Sequence, residues 1–355
     1  MKKEKTTLYL LRAIIVIILT IGLFFALNTF SSMQENRSSV VDILKPDDNT
    51  DELKPYKKSV KLIAVGDIML SRGVDMRMSK MGNDYPFQKI SNYLDDGDIV
   101  FGNLESPIAP GDSMPWEGTV FRARPGVEKS LKNAGFNVIS LANNHMGNQG
   151  QAGVKFTINA LRALGINTIG AGKDNGEASN PTIITKKGLK FAFLAYTDGT
   201  IIPKSYEAEE NNYGVVYMDE SKLAEDVAKA KKVADFVIVS MHAGIEYTYR
   251  PNQNQINFAH KAIDSGADLV IGHHPHQIQD IEKYKEKYIF YSLGNFIFDQ
   301  EWSKETKQGF LAEIYFNENG VFDYNLIPVL IEDYSQPDIM NDDEAIQLFR
   351  NIKRP

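Results

Sequence analysis

From Val60 onward the chain alternates short apolar runs with helical stretches, and several of the apolar runs stop on a residue able to do chemistry. Val60–Val65 stops on Gly66-Asp67, Ile99–Phe101 on Gly102-Asn103, and Asn137–Leu141 on Ala142-Asn143-Asn144-His145. Phe236–Ser240 leads to Met241-His242, and Leu269–Ile271 to Gly272-His273. Runs this short, separated by helical segments such as Ser221–Val233 and Gln253–Ser265, predict strands of an α/β fold. Two pairs of runs predict hairpins. Thr182–Thr185 and Lys190–Tyr196 flank Lys187-Gly188, and Phe310–Phe316 and Val321–Leu330 flank Glu318-Asn319-Gly320. Crossovers mixed with hairpins imply two packed sheets with helices outside, and Asp342–Ile352 reads as a terminal helix. The chain has no internal repeat and no low-complexity tract.

Ligands gather outside the carboxyl ends of strands in α/β sheets. Asp67, Glu105, Asn144, His145, His242, His273, His274 and His276 all lie at such ends and can meet in space. Of six histidines, only His260 lies elsewhere, inside a predicted helix, and it reads as structural. A single histidine at a strand end is commonly a hydrogen-bonded core residue. Several of them, with Asp, Glu and Asn in matching places, point to metal. Imidazole with carboxylate and amide oxygen suits Mn, Fe, Zn or Co and not calcium. A carboxylate bridging two cations ~3.5–4 Å apart is a common way to activate water and clamp a phosphate.

The segments VGDIMLSRGV, GNLESPI, ANNHMGNQG, GADLVIGHHPHQIQDIE and YSLGNFIFDQ carry a resemblance. The chain resembles the calcineurin-like metallophosphoesterases, and among them the CapA/PgsA family of poly-γ-glutamate capsule synthesis, from about Lys61 to Gln300. The resemblance implies a four-layer α/β/β/α sandwich. It implies a divalent metal site of one or two ions (Mn, Fe or Zn), with Asp67 and His276 on the first ion, Asn144, His242 and His274 on the second, and Glu105 bridging. His145 would protonate a leaving group, making His145 and Glu105 the catalytic candidates. His273 is an additional histidine and a candidate for substrate contact. Two positions depart from the phosphoesterase pattern. Met69 stands where Asp-x-His has histidine, and Glu105 stands for the bridging Asp. A thioether binds hard divalent ions poorly. The expectation is therefore a second site fuller than the first, little turnover of simple phosphodiesters, and a gain of metal in Met69→His.

Other residues are candidates for substrate contact. Arg72 and Arg77 could hold an anionic group, although a solvated or structural ion pair is the simpler reading, and Arg122 and Arg124 could clamp a carboxylate bidentately. Glu246 lies four residues after His242, in MHAGIEY, where relatives tend to have an aromatic after the histidine. Asn295 in SLGNF reads as a turn former.

Lys2, Lys3, Lys5 and Arg12 precede Ala13–Gln34, a run without charge. Within it, the apolar stretch Ala13–Leu27 together with Leu8–Leu11 gives the ~20 residues that span a bilayer. The basic flank predicts a cytoplasmic N-terminus with the remainder outside; cleavage as a signal peptide is the competing reading, and the long apolar run without a small-x-small site near its end favours an uncleaved anchor. The expected organisation is a cytoplasmic tip and transmembrane anchor over 1–30, a polar linker over 31–58, the metallophosphoesterase-like domain over 59–335 and a helical tail over 336–355. The net charge of −7 gives no reason to expect nucleic acid. It suits tight binding of a polyanion only through metal or a local basic patch. With no cysteine, disulfides, thiolate zinc sites and cysteine nucleophiles are excluded. The family implies a cell-membrane protein whose main domain is extracytoplasmic. Its cargo or substrate would be an anionic polymer, poly-γ-glutamate, and its partners the membrane synthase and transport components of the pathway. The alternatives are a surface metallophosphoesterase acting on a phosphate ester or wall polymer, and a catalytically silent scaffold.

Overall fold

The computed structural model describes residues 59–112, 114–115 and 118–355. The predicted anchor, the linker and Trp116 lie outside the described residues. Among those described, no helix is long and apolar enough to cross a membrane.

The fold is mixed α/β, built on two large sheets. The first contains β1 (Val60–Ile68), β2 (Ile99–Leu104), β3 (Val138–Ser140) and β4 (Asn167–Ile169) in parallel. The second contains β6 (Thr182–Lys186), β7 (Leu189–Thr197), β9 (Phe236–His242), β10 (Leu269–His273), β11 (Ile281–Tyr284) and β12 (Lys287–Phe290), in the order β11-β12-β10-β9-β7-β6. The first sheet continues on the other side of β1 with β14 (Gln308–Asn317), β15 (Gly320–Glu332) and β16 (Gln336–Ile339), while β13 (Asn295–Ile297) lies parallel to the end of β1. A small ribbon pairs β5 (Ala171–Gly172) with β8 (Gly214–Val215). Both expected hairpins are present, β6–β7 and β14–β15.

Side chains alternate across a strand, and each sheet uses this to build two cores. On the outer side of the first sheet, Ile63, Val65, Val100 and Leu104 pack with Val74 and Met78 of helix Arg72–Met81, Val127 and Leu131 of helix Val127–Asn133, and Val154 and Ile158 of helix Gly150–Ala163. On the outer side of the second, Val237, Val239 and Val270 pack with Leu223 and Val227 of helix Glu220–Lys231 and with Phe258 and Ile263 of helix Gln253–Asp264. That last helix starts from a capping box between Asn252 and Gln255. Aromatic rings fill the space between the sheets: Phe101 stacks on Phe193 at 6.1 Å, and Phe316 meets Phe191 at 5.1 Å and Phe236 at 5.2 Å. Helix Asp342–Arg350 returns to the body of the fold, with Phe349 stacked on Phe310 at 5.4 Å.

The strands run further than the apolar runs suggested. Asp67 lies within β1 rather than after it, and His242 and His273 are the last residues of β9 and β10. Their buried polar faces continue the ladder past the point where hydrophobicity stops.

Candidate metal centre

Alternation from Phe236 through Ile238 and Ser240 brings His242 to the face of β9 that looks at the first sheet. Leu269 and Ile271 do the same for His273, which lies beside His242 in the parallel register. On β2, Asn103 follows Phe101 onto that face. Strict alternation would send Asp67 to the opposite side, with Ile63 and Val65. A register shift between Ala64 and Asp67 inserts one extra residue against β2 and places Asp67 opposite Asn103. Gly66 makes the neighbouring contact possible. A side chain there would lie 2.1 Å from the Gly294 carbonyl oxygen, which accepts from Asp67 N at 3.0 Å.

Asp67 is fully buried and held from several sides. Asn103 Nδ2 donates to its Oδ1 at 2.8 Å, and His274 N donates to its Oδ2 at 3.1 Å. His273 Nδ1 lies 3.2 Å from Oδ1, and His276 Nδ1 lies 3.8 Å from Oδ2. Burial pushes the carboxyl up, but His273 and the rings of His242 and His276 outweigh it and hold Asp67 below the usual carboxylate range.

Glu105 follows β2 and is also fully buried. Its Oε1 faces Nε2 of His145 at 3.7 Å, of His242 at 3.9 Å and of His276 at 3.7 Å. Neither of its oxygens accepts a hydrogen bond from a described residue. Burial first, then the negative charges of Asp67 and Glu246, push this carboxyl well up. One ligand atom from each of Asp67, Glu105 and His276 lies within 4.8 Å of the other two.

Amide side chains set the histidine tautomers. Asn295 Nδ2 donates to Gln300 Oε1 and Thr306 O, so its Oδ1 receives Nδ1–H of His276 at 2.9 Å. Asn148 Oδ1 accepts from Phe121 N at 2.7 Å and therefore also from Nδ1–H of His145 at 3.0 Å. Both rings thus turn a bare Nε2 toward Glu105. His242 is the reverse. Its Nδ1 faces the Asn103 amide nitrogen at 3.3 Å, so its Nε2–H donates to Asn144 Oδ1 at 2.9 Å. His274 packs 4.9 Å from the His242 ring, with Nδ1 unpartnered among the described residues. Burial pushes His145 down to about 4 and His274 to about 3, and lowers His242 well below its ordinary value. His274 and His276, on either side of Pro275, both have positive φ, at 99° and 55°. Such backbone costs about 1–3 kcal/mol per residue and concentrates at functional sites.

The structure thus gathers Asp67, Glu105, Asn144, His145, His242, His273, His274 and His276. It does not bring the arginines into the cluster as free cations. Arg72 pairs with Asp299, donates to Gly118 O at 2.6 Å and lies 4.6 Å over the Phe121 ring. Phe121 in turn stacks on His145 at 4.0 Å. Arg124 pairs with Asp75, Arg122 donates to Asp112 O, and Arg77 pairs with Asp333 at 2.7 Å. Glu246 is exposed, outside the buried cluster. His260 binds Glu282 at 3.0 Å and stacks on Tyr284, away from the cluster. Asn295 is no turn former: it starts β13, lies beside Asp67 in register, and orients His276. Asn103, Asn148 and Asn295 hold Asp67, His145 and His276 by hydrogen bonds, a role not assigned to them from the strand ends, although each falls inside a segment that carried the resemblance. Met69 is buried in an apolar cluster that also contains Phe121 and Phe298, its sulfur 3.1 Å from Ser71 N.

The profile of the family "Bacterial capsule synthesis protein PGA_cap" matches residues 61–300. The chain is 32% identical over 317 residues to the capsule biosynthesis protein CapA of Bacillus anthracis, covering 86% of this chain and 76% of that one. It is 33% identical over 297 residues to the PGA biosynthesis protein CapA of Bacillus subtilis (strain 168), covering 82% and 77%. Among solved structures, a hypothetical protein from Thermus thermophilus superposes with a TM-score of 0.50 at 14% identity, over 76% of this chain and 98% of that one, a likeness of fold alone. A calcineurin-like phosphoesterase of Bacillus subtilis gives a TM-score of 0.45 at 14% identity, over 82% and 96%. With most of its length matched by the family profile and by relatives above 30% identity, the chain belongs to the PGA_cap family of bacterial capsule synthesis proteins.

Proposed function

We propose that the protein is a membrane-tethered, extracytoplasmic component of poly-γ-glutamate synthesis or export. In this reading its fold is the four-layer calcineurin-like sandwich, and its buried cluster holds one or two divalent ions. The observation that carries the metal reading is Glu105. A fully buried carboxylate with two unpartnered oxygens and three imidazoles around it is costly unless a cation joins it. The donor set of carboxylate, imidazole and amide oxygen fits Mn, Fe or Zn. Asp67, Glu105 and His276 would hold the first ion, and Glu105, Asn144, His242 and His274 the second. The first set is the readier, because His242 must give up its Nε2 proton before that atom can act as a ligand. This reverses the order expected from Met69 alone. When bound, such ions supply Lewis acidity and neutralise anionic oxygens.

The remaining chemistry belongs to the chain. His145, neutral and with Nδ1–H fixed by Asn148, can accept a proton at Nε2 and return it. Phe121 and the Arg72–Asp299 pair shield that ring from solvent on one side. The capsule role is supported by the family and by relatives named for capsule and PGA biosynthesis. The uncharged run Ala13–Gln34 behind its basic flank supports the tether. Membrane synthase and transport components are the partners this implies.

The test is complementation. Cells lacking the gene should regain surface poly-γ-glutamate with the wild-type chain and not with Glu105→Gln. Full complementation by Glu105→Gln would leave the scaffold reading standing. Brisk hydrolysis of a chromogenic phosphodiester by the wild type would favour the phosphoesterase.

A further inference from the structure

A strip of exposed side chains leads away from the metal centre. The Tyr247 ring lies 6.1 Å from that of His276, and its other side meets Trp302 edge-on at 5.9 Å. Both are exposed, Tyr247 by 43% and Trp302 by 63%, although rings of this size normally seek cover. Tyr247 also keeps a positive φ of 62°, a strained state for a residue with a side chain. The surrounding loop is held firmly. Tyr247 N donates to Pro275 O at 2.8 Å, and the buried Gln279 amide donates to Thr248 O and Arg250 O, both at 3.0 Å. The Tyr247 ring is therefore presented by a fixed backbone. The same loop forms one wall of an open basin of about 590 Å³, where Arg250 faces Arg350 from the last turn of the C-terminal helix. Arg250 is paired to Asp280 yet half exposed, and Arg350 has no ion-pair or hydrogen-bond partner among the described residues.

We propose that Tyr247, Trp302 and the Arg250–Arg350 basin form a track that holds an extended polycarboxylate chain as it runs to or from the metal centre. The proposal rests on the capsule reading and adds to it the path of the polymer. Amide planes and methylenes suit the aromatic faces, and carboxylates suit guanidinium forks. A chain of net charge −7 would engage a polyanion through metal or through a local cationic site, and these two guanidinium groups supply the latter.

Trp302 is a built-in reporter, since the chain has two tryptophans. The experiment uses the full-length protein in detergent with Trp116→Phe, titrated with a short oligo-γ-glutamate, with and without EDTA. The track predicts a saturable change in Trp302 emission under both conditions. Arg350→Glu should raise the half-saturating concentration about tenfold or more, the scale for losing a charge-assisted hydrogen bond, and Arg350→Lys should recover most of it at an unchanged Tm. Arg250→Glu should act in the same direction. A response that requires metal and ignores Arg350→Glu places the oligomer at the cluster alone; the capsule reading survives and the track falls. Calorimetric binding without any change in Trp302 emission also overturns the track. Equal response to inorganic polyphosphate overturns the assignment to polycarboxylate.

Discussion

Asn295 accepts the Nδ1 proton of His276 at 2.9 Å and so turns His276 Nε2 to within 3.7 Å of Glu105. The parallel pairing of β13 with β1 fixes this, since it sets Asn295 beside Asp67. Removing a partner of this kind weakens metal affinity by about 10–100-fold. Asn295→Ala should do so, and should also cost about 1–3 kcal/mol of stability by stranding Gln300 Oε1 and Thr306 O. Asn295→Asp keeps the acceptor for His276 and should lose less affinity. Manganese titration and urea unfolding of the two variants separate these effects.

Acid should destabilise the metal-free protein through its histidines. Burial holds His145 near 4 and His274 near 3, against about 6.5 in the unfolded chain. The unfolded state then binds protons first, so this share of stability is full above about pH 6.5 and is lost as pH falls toward the folded values. Glu105 works in the opposite sense, because its raised carboxyl takes up a proton before the unfolded chain does. The clean reading is a difference. In EDTA, the Tm of the wild type should fall relative to His145→Gln between about pH 7 and 5. Parallel profiles for the two proteins would contradict a buried neutral His145.

Local features were legible in the sequence and non-local ones were not. The β6–β7 and β14–β15 hairpins follow from short-range turn chemistry around Lys187-Gly188 and Glu318-Asn319-Gly320. The gathering of histidines follows from strand ends, because parallel strands bring their carboxyl ends together. The strand end puts Asp67 in the right place for an incomplete reason. Its side-chain direction depends on a register shift that hydrophobic pattern does not encode. Asn295 resembles a turn residue after Gly294, and its true place depends on pairing with β1, far away in sequence. Arg72 is ion-paired, in line with its simpler reading, but its partner Asp299, like Asp75 for Arg124, is joined to it only by the fold and cannot be named from the sequence.

Met69→His tests how the first site is built. Met69 is buried in the apolar cluster that includes Phe121 and Phe298, the rings against His145 and His276, and its sulfur accepts from Ser71 N. Burying an imidazole there should cost the metal-free protein about 1–3 kcal/mol. Manganese content should rise, with part of the lost stability regained on adding metal. A lower Tm with unchanged manganese content would show that position 69 serves the core only.

The tether makes a separate prediction. In the proposed topology only the N-terminal tip is cytoplasmic, so protease added to intact wall-less cells should degrade the domain. Full protection of the domain would contradict the extracytoplasmic placement.

The most direct test of the account is the metal content of the full-length protein, measured by elemental analysis after equilibration with manganese, iron or zinc and removal of free ion. The unpartnered carboxylate of Glu105 predicts at least one tightly held equivalent in the wild type. The ion should also raise the Tm, as a ligand bound only to the folded state must. Glu105→Gln should leave the metal-free Tm near that of the wild type, since burial already favours a neutral carboxyl there, and should abolish both the bound metal and the metal-induced rise. A wild-type protein that retains no ion at saturation, or a Glu105→Gln variant that retains as much as the wild type, would contradict the account.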